Sequence, residues 1–219
     1  MDHVGGCRWF SSGDACRTRG VEANEARPLR TPLCQPECTV AWRLAQLKHE
    51  YFRLGLHYYV EGRLGARAGL TTVPGNLLHH AVEMFLKGTL VTNCGNAYLK
   101  EAGHELSVLW REFKTGQKDS HSQFDDVLTD LNRFEHIRYP DFIVEEGLTS
   151  VISFGDTPVP SPEFPAGRAP PHYVVLLGKV DRLILEFFVR ASLNPKAFKM
   201  LGDFGREGLT FANPVADRW

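Results

Sequence analysis

Three short blocks carry the residues that could do chemistry. The first, LLHHAVEMFLKG from Leu77, sets His79, His80, Glu83 and Lys87 into an apolar pattern of helical period. The second, GHEL from Gly103, adds His104, and the third, NRFEHIRYPD, adds Arg133, His136, Arg138 and Asp141. A plain core helix has no need of these groups. Arginine suits phosphate because its planar fork makes bidentate charge-assisted hydrogen bonds. Histidine titrates near neutrality and can move a proton. Arg133 and His136, at i and i+3, are therefore the candidate catalytic pair, with Arg138 and Asp141 as ligand-binding neighbours. The plainer reading pairs Arg133 with Asp130 or Glu135, and Arg138 with Asp141, as ion pairs.

Glu83 and Lys87 stand four residues apart with the acid nearer the amino end, the favourable order for an ion pair. On a surface such a pair is worth about 0.3 to 0.5 kcal/mol. The alternative makes Glu83, Lys87, His80 and His104 part of a ligand-binding pocket. His104 follows Gly103 at a helix start, where an imidazole can also cap free amides. His79 and His80 are adjacent on a helix, so both cannot face the core. His80 and Glu83 have the spacing found in carboxylate-bridged di-metal bundles, but those use Glu-x-x-His pairs in that order from facing helices. Here the order is reversed, and the sequence reads as holding no metal and no cofactor.

The elements that must position these residues are helical. Leu44, Leu47, Tyr51, Leu54 and Tyr58 recur at three- and four-residue steps from about Val40, which predicts a long first helix fading in the glycine-rich run before Pro74. A second helix is expected from Asn76, as N-cap, to Thr92, with Leu78, Ala81, Val82 and Phe85 on one face. A third follows Gly103, and a fourth opens on Ser122 and Asp125 and ends at Pro140. From Phe142 the period changes. Phe142 to Val144 and Ser150 to Phe154 read as a small β-hairpin, followed by a proline-rich loop. The last long helix spans Leu177 to Ala191. Asn194-Pro195 then opens a short helix through Met200, and the glycine-rich tail reads as irregular.

The chain of 219 residues, 43% hydrophobic, suits one core. Its 25 basic and 26 acidic residues give no overall positive field, so any RNA contact must come from a local patch. No apolar run approaches the roughly 20 residues that span a bilayer, and the amino terminus lacks the order of a signal peptide. These features read as a cytoplasmic protein without a membrane partner. Five cysteines, with Cys34 and Cys38 at irregular distances from the rest, read as reduced thiols and not as a zinc site. Residues 1–38 show no sustained period and few large apolar side chains, which predicts a disordered or poorly packed segment, or an over-extended start, ahead of a helical domain at 39–219.

The three blocks together resemble the HEPN domain, a small all-helical family whose name stands for higher eukaryotes and prokaryotes nucleotide-binding. The similarity is to bacterial members with a helix-borne HHA-x-E-x-x-LK, a GH-x-L and a terminal RYPD, and it covers roughly residues 44 to 200. It implies an all-α, up-and-down bundle that forms a homodimer. It also implies a partner that is RNA, a nucleotide or an antitoxin-like protein, in a toxin–antitoxin or defence setting. HEPN ribonucleases work without metal, using an arginine followed after four to six residues by a histidine. Here Arg133-x2-His136 departs from that spacing, while Arg43-x5-His49 fits it on the first helix. The reading is thus a non-catalytic HEPN-like binding module; the alternatives are a metal-independent dimeric endoribonuclease and a purely structural interaction protein.

Overall fold

In the computed structural model, residues 36–115, 121–135, 137, 139–156, 170–198 and 201–219 are described. Helices α1 (Pro36–Arg67) and α2 (Thr72–Glu101) are joined by a short turn and run antiparallel. Tyr51 reaches Asn96 near the far end of α2, at 2.9 Å, while Gly65 meets Pro74 at the turn. The first helix was expected to fade in the glycine-rich run before Pro74, and α1 passes Gly62 and Gly65 and ends within that run at Arg67, before Gly69 with its φ of 80°. A Cβ on Gly65 would stand 2.7 Å from the Pro74 ring, so the missing side chain is what lets the two backbones close. The second helix starts earlier than expected, at Thr72, and Asn76 lies inside it. It kinks at Gly95, whose positive φ of 76° leaves the helical region.

Two shorter helices, α3 (Leu106–Thr115) and α4 (Asp125–Arg133), pair antiparallel on the flank of α2. The Leu106 amide is received by Asn132 Oδ1 at 2.9 Å, and at the other end Trp110 Nε1 donates to Asp125 at 2.6 Å. Helix α6 (Leu177–Arg190) closes the core, laying Phe187 and Phe188 against Phe85 and Phe52. Phe85, Leu131 and Ile184 are fully buried, whereas Leu47 is only partly so. The architecture is an all-α up-and-down bundle with a small β insert.

That insert is not a hairpin. Strands β1 (Thr149–Ser153) and β2 (His172–Leu176) pair in parallel, in register Thr149 to His172. Residues Pro140–Glu146 form α5, with Pro140 in its first turn. A proline at a helix start loses no hydrogen bond, because that amide has no partner in any case. Pro140 opens α5 where it was expected to close the fourth helix. Asn194 caps the Pro195–Ala197 turn as expected, accepting from Lys196 N at 3.0 Å. The tail, expected to be irregular, folds as α7 (Asp203–Thr210) on α1.

A buried ion pair anchors α7. Arg63 and Asp181, both with no exposed side-chain surface, are bonded to each other, and Arg63 also donates to the carbonyls of Gly208, at 2.9 Å, and Phe211. Tyr59 donates to Asp181 at 2.5 Å, and Asn213 to Tyr59 at 3.1 Å. Burial pushes the Asp181 carboxyl up, and the Arg63 charge opposes this. Cys94 is disulfide-bonded, so the expectation of reduced thiols fails there. No helix among the described residues is long and apolar enough to cross a membrane. The segment 1–35, the proline-rich stretch 157–169 and the expected end of the short helix at Met200 lie outside the described residues.

Candidate functional site

Helix α2 carries His79, His80, Glu83 and Lys87 toward the turn that leads into α3. Glu83 has no exposed side-chain surface and receives three partners. Lys87 Nζ lies 2.7 Å from Oε1, His80 Nδ1 lies 3.3 Å from Oε2, and His104 Nδ1 lies 3.1 Å from both oxygens. Burying a carboxylate is costly unless it is paired and hydrogen-bonded. Burial alone raises the Glu83 pKa; the hydrogen bonds from His80, Lys87 and His104, with the Lys87 charge, outweigh it and bring the carboxyl down to about 2. Glu83 is therefore an anion across the physiological range. The surface ion-pair reading of Glu83 and Lys87 does not hold, because Lys87 is itself only 7% exposed.

His104 does not cap α3, whose Leu106 amide is taken by Asn132. It turns back onto Glu83 from the Gly103 turn and leaves 57% of its side chain in solvent. The cluster is thus buried on its α2 side and open at His104. The His80 ring stands beside the rings of His104, at 6.1 Å between centroids, and Tyr58, at 5.6 Å. On α1, burial and then the Glu83 charge push the Tyr51 hydroxyl pKa up.

His79 is the fully buried member of the His79-His80 pair. Its Nδ1 lies 3.0 Å from the Leu131 carbonyl. A carbonyl can only accept, so Nδ1 carries the hydrogen and the lone pair falls on Nε2. Burial holds the His79 pKa down, opposed by that backbone bond. Nε2 is buried with no hydrogen-bond partner among the described residues, and stands 3.6 Å from Glu135 Oε2. Sequence reasoning did not place His79 or Glu135 in a site. Their meeting depends on α4 lying across α2, which no local pattern announces.

Arg133 is placed elsewhere. Its guanidinium lies over the Tyr173 ring, 4.6 Å from the centroid, and 3.7 Å from Asp130. It lines a cavity of about 440 Å³ between α3 and α4 with Trp110, Arg111, Lys114 and Asn132. The ion pair with Asp130 is the plainer of the two sequence readings, and Arg133 does not join Glu83. Lys114 is held by Asp125 at 2.7 Å, whereas Arg111 is exposed and makes no ion pair among the described residues. Arg111 and Lys114 share a face of α3 at i and i+3, a spacing visible in the sequence, but only the antiparallel packing of α4 brings Arg133 opposite. His136 and Arg138 lie outside the described residues, and Asp141 is exposed in the first turn of α5. On α1, His49 stacks on Phe198, 4.8 Å between centroids.

Comparison of the chain with protein-family models, with curated proteins and with solved structures gave no match.

Proposed function

We propose that this chain is a HEPN-like module that binds a phosphate-bearing ligand, RNA or a nucleotide, without cleaving it, and that the ligand seats between α3 and α4. The observation that carries this is the cavity of about 440 Å³ walled by Arg111, Lys114 and Arg133 beside Trp110. Its size falls in the range of small-molecule sites, roughly 300 to 1,000 Å³. Arg111 and Arg133, with Lys114 paired to Asp125 in the same wall, form the local patch that a chain of net charge −1 needs in order to meet a phosphate backbone. Arg111 and Arg133 offer guanidinium forks suited to bidentate phosphate contact. Absence of cleavage is supported by the departure of Arg133-x2-His136 from the active HEPN spacing. Among the described residues, no histidine lines this cavity to move a proton. The homodimer and the antitoxin-like partner rest on the resemblance alone.

The test is fluorescence anisotropy with labelled single-stranded RNA and with a labelled nucleotide, in chelator, with product analysis on a gel. Combined replacement of Arg111 and Arg133 by Ala should weaken binding by about tenfold or more and flatten its salt dependence, with no cleavage by either protein. Unchanged affinity in the double variant refutes the groove. Chelator-resistant cleavage lost on His136→Ala establishes the endoribonuclease reading instead.

A further inference from the structure

We propose that His79, His80 and Glu83 bind one divalent transition-metal ion of the zinc type, with His104 as a further ligand on the solvent side. This goes beyond the phosphate-binding reading and does not rest on it, since it concerns the α2 cluster and not the α3–α4 groove. One ring nitrogen each of His79 and His80 and one carboxylate oxygen of Glu83 all lie within 4.8 Å of one another. Lys87 occupies Glu83 Oε1 and leaves Oε2 facing His80 Nδ1 at 3.3 Å and His104 Nδ1 at 3.1 Å. Bonds of about 2.0 to 2.1 Å to a tetrahedral ion put neighbouring ligand atoms about 3.3 to 3.4 Å apart. The His80–Glu83 spacing matches that edge, the His104–Glu83 spacing is slightly inside it, and a His79 ring nitrogen lies within 4.8 Å of the His80 and Glu83 ligand atoms.

Hydrogen bonding alone accounts for His80 and His104, but it leaves His79 unexplained. The Nδ1 bond to Leu131 fixes the tautomer and aims a bare lone pair from Nε2 in a fully buried ring. Metal-bound histidines are held in this way, with the other ring N–H donated to a backbone carbonyl or a carboxylate. The donor set is imidazole and carboxylate without thiolate, which favours zinc or cobalt over magnesium or calcium, whose ligands are oxygen throughout. The half-exposed His104 gives the ion a way in.

The experiment uses the full chain stripped with chelator and titrated with zinc and with cobalt(II), read by calorimetry and by the visible spectrum of cobalt. The expected result is one equivalent of each ion bound and an intense four-coordinate cobalt spectrum, with magnesium unable to compete. His80→Gln and Glu83→Gln should each weaken binding by about tenfold or more. Because Glu83→Gln removes the buried counter-ion of Lys87, His80→Gln is the decisive variant, with circular dichroism showing that it stays folded. No saturable uptake, or affinity unchanged in His80→Gln, overturns the proposal. So does a cobalt spectrum dominated by thiolate charge transfer, which would put the ion on cysteines.

Discussion

Replacing Glu83 by Gln keeps the shape of the side chain, removes its charge, and leaves Lys87 beside a neutral group in a site that solvent barely reaches. The magnitude follows from two independent routes. A glutamate held at about 2 against its ordinary 4.5 contributes about 3 kcal/mol of folding stability near neutral pH. The side chain is fully buried, so no discount for solvent screening applies. Removing one partner of a buried ion pair costs about 3 to 5 kcal/mol by general experience, which agrees. The folded pKa lies below the unfolded one, so the stabilisation is fully present above about pH 4.5 and is lost as pH falls toward 2. Urea unfolding of wild type and Glu83→Gln, in chelator, should therefore differ by about 3 kcal/mol near neutral pH, and the gap should shrink steadily through that acid window. A gap of the same size at about pH 7 and about pH 2.5 would show that the loss comes from packing and not from ionisation. A gap under about 1 kcal/mol near neutral pH would refute the buried pair itself.

Two further outcomes test the frame that holds the site. Arg63→Met should cost about 3 to 5 kcal/mol by stranding Asp181 in the core. The double change Arg63→Met with Asp181→Leu should cost less than the sum of the single changes by more than about 1 kcal/mol, and additivity within about 0.5 kcal/mol in denaturant titrations would sink the network. Gly75→Ala would place a Cβ 2.0 Å from Phe134 Cε1, an overlap that should cost about 1 to 3 kcal/mol. Thermal melting should show part of that recovered in Gly75→Ala combined with Phe134→Leu, and a neutral Gly75→Ala would mean that α4 does not pack on the start of α2.

What could be read from the sequence was whatever one element's own period could express. Leu78, Ala81, Val82 and Phe85 on α2, and Val180, Ile184 and Phe187 on α6, repeat over enough turns to mark a buried stripe, and all are buried. The three apolar residues from Phe142 are too few to separate a helical from an extended period, so the sequence pattern reads Pro140 as a stop where the structure makes it the first residue of α5. The strand partner of β1 lies beyond the proline-rich stretch, and short apolar runs do not announce a distant parallel partner. Helix α7 was hidden by Gly205 and Gly208, which lower helix propensity. Tertiary contacts override that: Gly208 sits against Leu64 and gives its carbonyl to Arg63. At the site, His80, Glu83 and Lys87 were legible because one helix carries all three, whereas the roles of His79, Glu135 and Arg133 are decided by where α4 lies.

The two buried carboxylates differ in what they leave accessible, and that difference separates a structural network from a ligand site. Asp181 is sealed: its partner Arg63 has no exposed side-chain surface, and the guanidinium is shared among Asp181 and two backbone carbonyls that staple α7 to α1. Asp181 Oδ2 has no hydrogen-bond partner among the described residues, but no member of that network opens a route to it. Glu83 has the same depth and a better-matched set of donors, yet one of them, His104, is largely in solvent. Rotation of that one imidazole about its side-chain bonds exposes an oxygen that faces His80, with no helix having to move. A packing requirement would be met by the closed arrangement around Asp181. The open donor at Glu83 is the feature that a core does not require and that a bound ion would use.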